Sequence, residues 1–253
     1  MTRVISVISG KGGVGKTTMT CNLAVALSKQ DESVLIIDGN FTGANVAQHF
    51  GIGFQDVSLN EVLEGEAFIT QAVAKHPAGV SILPASILEF DAAADNLKHS
   101  LIEFLGDKDY VFIDAAAGVG DEVQAALEAS DEVLLVTEPE LPSITNCVGA
   151  KKLAEQLDRE VLGIVMNGVR NEKSEVEIED AERLLETDVI GIVEDHSHVR
   201  EAVALSEPVV SIKPGSKVTK QIEDVAYQIK GEEPPESDAI QKLSWKIEEI
   251  SPF

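Results

Sequence analysis

The sequence predicts an α/β protein built on a doubly wound, mostly parallel sheet with helices on both faces. Three observations predict it. Seven runs rich in Val and Ile are continuously apolar rather than alternating, as strands buried on both faces are. Stretches with helical spacing lie between most of these runs. The first run ends in a glycine-rich turn that opens directly into a helical stretch.

In chain order the strands fall at residues 4–9 (VISVIS), 34–38 (VLIID), 80–85 (VSILPA), 110–114 (YVFID), 132–137 (EVLLVT), 161–167 (VLGIVMN) and 189–193 (VIGIV). Helical spacing covers residues 16–29, 87–105, 121–129, 144–157, 177–186, 199–207 and 217–229. Two strands end in an aspartate, Asp38 and Asp114, and in such a sheet an acid at a strand's carboxyl end faces the ligand crevice. A third ends in Asn167. Cys21 and Cys147 sit in apolar helical patterns without a pairing pattern, which predicts buried, reduced thiols. His196 and His198 lie in a turn with no further metal ligand nearby, so they read as solvent-facing. There is no internal repeat. Residues 1–230 read as one domain, 231–238 (GEEPPESD) as an acidic, proline-containing linker, and 239–253 as a short tail.

The chain has 253 residues, 44% of them hydrophobic, and a net charge of −24. That composition belongs to a folded protein. Acid this dominant disfavours direct DNA binding, which needs Lys and Arg to displace counterions from phosphates. It suits a salt-rich cytosol, because at about 1 M salt the Debye length falls to ~3 Å and surface acids stop repelling one another across the molecule. No apolar run approaches a membrane span and no leader-like segment precedes the first strand, so a cytoplasmic protein is expected.

The turn GKGGVGKT, from Gly10 to Thr17, matches G-x-x-x-x-G-K-[ST]. Gly10, Gly12, Gly13 and Gly15, with Val14 between the last two, let the backbone turn its N–H groups around phosphate oxygens. The helix N-terminus adds positive partial charge. Lys16 is expected to reach the β- and γ-phosphates, Thr17 to offer its hydroxyl to Mg²⁺, and Thr18 to continue the cradle. Lys11 is one lysine more than the motif requires. Early in the loop, its own backbone tends to aim it away from the phosphates, where a second subunit could receive it.

KGGVGKTT resembles the deviant phosphate loop of the MinD/ParA family of P-loop ATPases. The likeness runs from Val4 to about Ile229. DGNFTGANVAQHFGI is similar to the first switch of archaeal MinD-like proteins, SLNEVLEGE and SILPAS to the segments after it, and FIDAAAG to the second switch, with Ala116 where the family usually has proline. VMNGV and VEDHSHVREAVALSEPVV resemble the family's base-binding region and late helix. The resemblance implies ATP and Mg²⁺ as ligands and an ATP-dependent homodimer in which Lys11 touches the partner's nucleotide. It implies that Asp114 holds the metal, that Asp38 lies beside metal and phosphates, and that Asn167 recognises adenine. At Asn40 the family usually has an aspartate that orients or deprotonates the attacking water. Asparagine keeps a carbonyl acceptor but no basicity, which predicts slow hydrolysis and a long-lived dimer. Asn40 reads equally as a substitution that traps the dimer, as native to a slow switch, or as a bystander where Asp38 does the work.

MinD proteins often end in an amphipathic membrane-binding helix. In the tail, Ile240, Leu243, Ile247 and Ile250 fall within an arc of roughly 80° on a helix. Only Lys242 and Lys246 face Glu248 and Glu249, so attraction to anionic lipid is weak, and a helix packed on protein is the other reading. The expected activity is an ATPase that recruits or positions other components. A binding switch that scarcely turns over is the alternative, and a reductase or iron–sulfur carrier on the same fold the third. The cargo is not named by the residues: a division inhibitor, a motility or chemotaxis assembly and a partition complex all fit.

Overall fold

Apolar runs without alternation need cover on both faces, and the chain supplies it. A computed structural model describes residues 1–86, 97–101 and 106–234. Eight strands form one sheet: β1 (Arg3–Ser9), β2 (Val34–Gly39), β3 (Ala74–Lys75), β4 (Ser81–Leu83), β5 (Tyr110–Ala117), β6 (Glu132–Thr137), β7 (Glu160–Val169) and β8 (Val189–Glu194). Their order is β3-β4-β2-β5-β1-β6-β7-β8. All pairs are parallel except the short β3 against β4. The chain builds to one side of β1 first, through β2, β4 and β5, then to the other through β6, β7 and β8. β1 therefore stands at the reversal of winding, where this architecture opens a crevice at the strands' carboxyl ends.

Alternate side chains of each strand feed two cores. Val4 and Ile8 of β1, Leu35 and Ile37 of β2, and Val111 and Ile113 of β5 pack on one face with α6 (Asp121–Glu128), α7 (Leu141–Gln156) and α8 (Ile178–Leu185). Ile5 and Val7, Val34 and Ile36, and Tyr110 and Phe112 pack on the other with α1 (Lys16–Ser28), α10 (Val209–Ile212) and α11 (Lys217–Lys230). α9 (Ser197–Ala204) joins this second face through Ala202. Short helices α2 (Val46–His49), α3 (Leu59–Leu63), α4 (Ile69–Ala72) and α5 (Leu97–Ser100) fill the connections on the β2 side. Of the helix expected over 87–105, only α5 and its immediate neighbour fall among the described residues; 87–96 and 102–105 lie outside them, as does the tail from residue 235.

α11 runs antiparallel to the strands and is tied at both ends. Gln221 in its first half accepts the Glu194 N–H at 3.1 Å, at the carboxyl end of β8. At its far end the Ile229 carbonyl accepts from the Arg3 guanidinium, which also pairs with Glu132 at 2.7 Å and lies over the Tyr110 ring. Lys230 pairs with Glu32 at 3.1 Å. No helix among the described residues is long and apolar enough to cross a membrane.

Candidate nucleotide-binding site

The glycine-rich turn leaves the carboxyl end of β1 and enters α1. Gly13 and Gly15 have φ of 86° and 85°, the left-handed region that side chains strain to adopt. Gly10 is small for a different reason: a Cβ there would lie 2.1 Å from the backbone carbon of Asn146 in α7. Its N–H instead reaches Cys147 Sγ at 3.4 Å. Gly12 and Val14 complete the loop, and Val14 is buried. The Asn167 amide, from the end of β7, donates to the Val14 carbonyl at 2.8 Å. A Cβ on Gly15 would sit 2.2 Å from that amide nitrogen. Asn167 thus braces the loop where α1 begins. Thr18 Oγ1 lies 3.3 Å from His49 Nε2, linking α1 to α2.

Beneath the loop, Asp114 is fully buried and receives three donors. Lys16 Nζ approaches at 3.1 Å, Thr17 Oγ1 at 2.6 Å and Thr20 Oγ1 at 3.2 Å. Asp38 is its register partner on the adjacent strand and is equally buried. Its carboxylate accepts backbone N–H groups from Asn45 at 2.9 Å, Val46 at 3.0 Å and Asn40 at 3.3 Å, and so closes the loop after β2. Burial first, and the charge of Asp114 second, push the Asp38 carboxyl up to about 7.

This donor set fits Mg²⁺. Thr17 and Asp114 present oxygens 2.6 Å apart, and Asn45, whose N–H bonds Asp38, has its Oδ1 buried without a partner. Among the described residues no group of three or more His, Cys, Asp or Glu could hold a metal alone. Mg²⁺ is ordinarily held by one or two protein oxygens together with substrate phosphates and water.

The remaining sequence candidates lie around this centre. Asn40 uses its amide on the Gly43 carbonyl at 2.8 Å, within the loop. Lys11 is exposed, its Nζ 3.6 Å from Glu138 and 3.7 Å from Glu140. Glu122 of α6 accepts the Thr42 N–H at 3.1 Å, joining the loop after β2 to the helix after β5. His196 caps α9, its Nδ1 accepting the His198 N–H at 3.1 Å. Cys21 and Cys147 are both buried, and burial raises both thiols above their ordinary range.

Residues 5–209 match the nucleotide-binding domain shared by CobQ, CobB, MinD and ParA. The chain belongs to this MinD/ParA family. It is 34% identical to an uncharacterised ATP-binding protein of Methanocaldococcus jannaschii, over 91% of this chain and 89% of that one. The septum site-determining protein MinD of Pyrococcus horikoshii, solved with Mg-ADP, superposes with a TM-score of 0.85 at 29% identity, covering 90% of this chain and 96% of that one. A MinC:MinD cell division complex of Aquifex aeolicus gives 0.83 at 29% identity, covering 92% and 97%. The parallel sheet and the phosphate loop at its winding reversal are those of a MinD/ParA domain.

Several residues of this MinD/ParA site carry no motif of their own. Thr20 looks like any helical threonine until Asp114 folds against it. The Asn167–Val14, Gly10–Cys147 and Thr42–Glu122 contacts join residues 80 to 153 positions apart. One local feature did have a signal: Ser58-Leu-Asn-Glu61 is a capping box, with Ser58 N–H on Glu61 at 2.7 Å at the start of α3.

Proposed function

We propose that this MinD/ParA protein binds ATP with Mg²⁺, dimerises in that state, and recruits or positions other components until slow hydrolysis resets it. The observation that carries the reading is the convergence of Lys16, Thr17 and Thr20 on buried Asp114 under the glycine loop. Loop N–H groups and Lys16 would bind the β- and γ-phosphates, and Thr17 and Asp114, with Asp38 alongside, would hold Mg²⁺. The metal would supply charge neutralisation on the phosphates there. The brace from Asn167 fixes the loop that receives the phosphates, and its place beside the loop also suits contact with the base. Lys11, exposed and paired with two glutamates among the described residues, could exchange them for a partner subunit's nucleotide. The work is expected in the cytoplasm, with the tail offering a membrane surface or a protein as its contact.

Asn40 favours a second reading, a switch that scarcely hydrolyses. Its amide is committed to Gly43, and asparagine has no basic group to accept a proton from water. Both readings are tested by one comparison. ATP hydrolysis is measured at high salt for the protein and for Asn40→Asp, with oligomeric state recorded in ATP. Restoration by about 10²-fold or more, with the asparagine form staying dimeric, is expected if position 40 handles the water. Equal turnover overturns that role. Absence of a dimer in either form overturns the switch.

A further inference from the structure

Away from α1, where β7 and β8 end, residues 170–177 stand off the sheet around a cavity of about 330 Å³. Its floor is apolar, made by Met166, Val169, Val176 and Ile192. Its rim is acidic, with Glu172, Glu175 and Glu177 against Lys173. Glu175 is occupied in shaping the loop: its carboxylate accepts the N–H groups of Arg170 at 2.8 Å and Glu172 at 3.2 Å. Glu172 and Glu177 are exposed.

The cavity lies on the α7/α8 face of the sheet, across from α1, but it opens at the same carboxyl edge as the phosphate loop: Met166 and Val169 flank Asn167, whose amide holds the Val14 carbonyl. The two are joined at one wall. The Pro139 carbonyl accepts the Val176 N–H at 2.9 Å, and the residues flanking Pro139 are the glutamates that hold Lys11. The volume sits at the small end of ligand pockets and suits roughly one or two large side chains rather than a nucleotide. An apolar floor under a negative rim selects an apolar side chain with cationic neighbours and repels an acidic surface such as this chain's own.

We propose that this cavity docks a partner protein through a segment in which an apolar side chain is flanked by Lys or Arg. The inference rests on the switch reading for the need of a partner, not for the chemistry of the cavity.

The chain has three methionines, Met1, Met19 and Met166. Met166 lines the cavity and Met19 is buried in α1 on the other face. The test is a titration of methyl-labelled protein with a short peptide of alternating leucine and arginine, and with its leucine–glutamate counterpart. The basic peptide is expected to shift Met166 saturably and leave Met19 in place. Glu172→Gln with Glu177→Gln is expected to weaken binding about fivefold or more, and Lys173→Gln to tighten it. Melting curves check that the variants fold. A silent Met166, an equal response to the acidic peptide, or unchanged affinity in the double variant overturns the proposal. So does a Met166 shift that grows with protein concentration alone, which assigns the cavity to a second copy of this chain. Dimerisation in ATP is recorded on the same samples: its loss with Met166 still responding counts against the switch reading, and the reverse against the cavity.

Discussion

Asp38 and Asp114 are register partners at the carboxyl ends of adjacent parallel strands, both fully buried and both on the α1 side of the sheet. Lys16 is bonded to Asp114. Asp38 is left with backbone N–H groups and with a carboxyl raised from 3.8 to about 7. A raised carboxyl binds its proton more tightly in the folded state. Its contribution therefore favours folding below pH 4 and is lost as pH rises through about 7. Without nucleotide or Mg²⁺, Asp38→Asn is expected to gain on the parent protein in melting temperature between about pH 5 and pH 8. Paired thermal melts across that range check it; a constant difference would show that Asp38 stays ionised throughout.

Thr20, in the second turn of α1, shares its one hydroxyl proton between Asp114 at 3.2 Å and the Lys16 carbonyl at 3.0 Å. Thr20→Val keeps the shape and deletes the bond. A cost of about 1–2 kcal/mol in stability is expected, since a buried carboxylate loses one of three side-chain donors. Mg²⁺-dependent nucleotide affinity should fall several-fold, while nucleotide binding in chelator changes less. Calorimetric titration in Mg²⁺ and in chelator separates the two.

Gly10 and Gly13 are both in the loop, but alanine should act differently at each. At Gly10 the new carbon meets α7 backbone at 2.1 Å, so two elements must part. Overpacking of this kind costs about 1–3 kcal/mol or more, and a melting temperature lower by roughly 5 °C or more is expected. At Gly13 there is open space, and only the φ of 86° is penalised, by about 1–2 kcal/mol. Gly13→Ala should spare the melt more and impair nucleotide binding instead. Melts and binding of the two variants side by side check the contrast.

The net charge of −24 predicts a melting temperature higher in molar KCl than at low salt. Equal midpoints would show that the acidic surface is not an adaptation to salt.

The sheet was legible because each of its long strands is a continuous apolar run, a pattern that few alternatives share. The helices α1, α6, α7, α8, α9 and α11 followed from spacing. The short helices α2, α3, α4 and α10 did not, because four or five residues do not complete a helical period, and the two-residue β3 has no period at all. In the site, the phosphate loop declared itself through glycine spacing and two neighbouring strand-end aspartates. What spacing could not convey is which distant groups press on the loop. Cys147 is buried as expected and, in addition, receives the Gly10 N–H; the Asn167 amide holds the Val14 carbonyl, a contact that its place at a strand end does not announce.

α11 carries the chain from the carboxyl ends of the strands, where Gln221 meets Glu194, back to their amino ends, where Ile229 meets Arg3. The described residues therefore end, at 234, at the pole opposite the phosphate loop. A tail contact of the kind proposed would hold the molecule by that pole and leave the nucleotide crevice facing away from the anchorage.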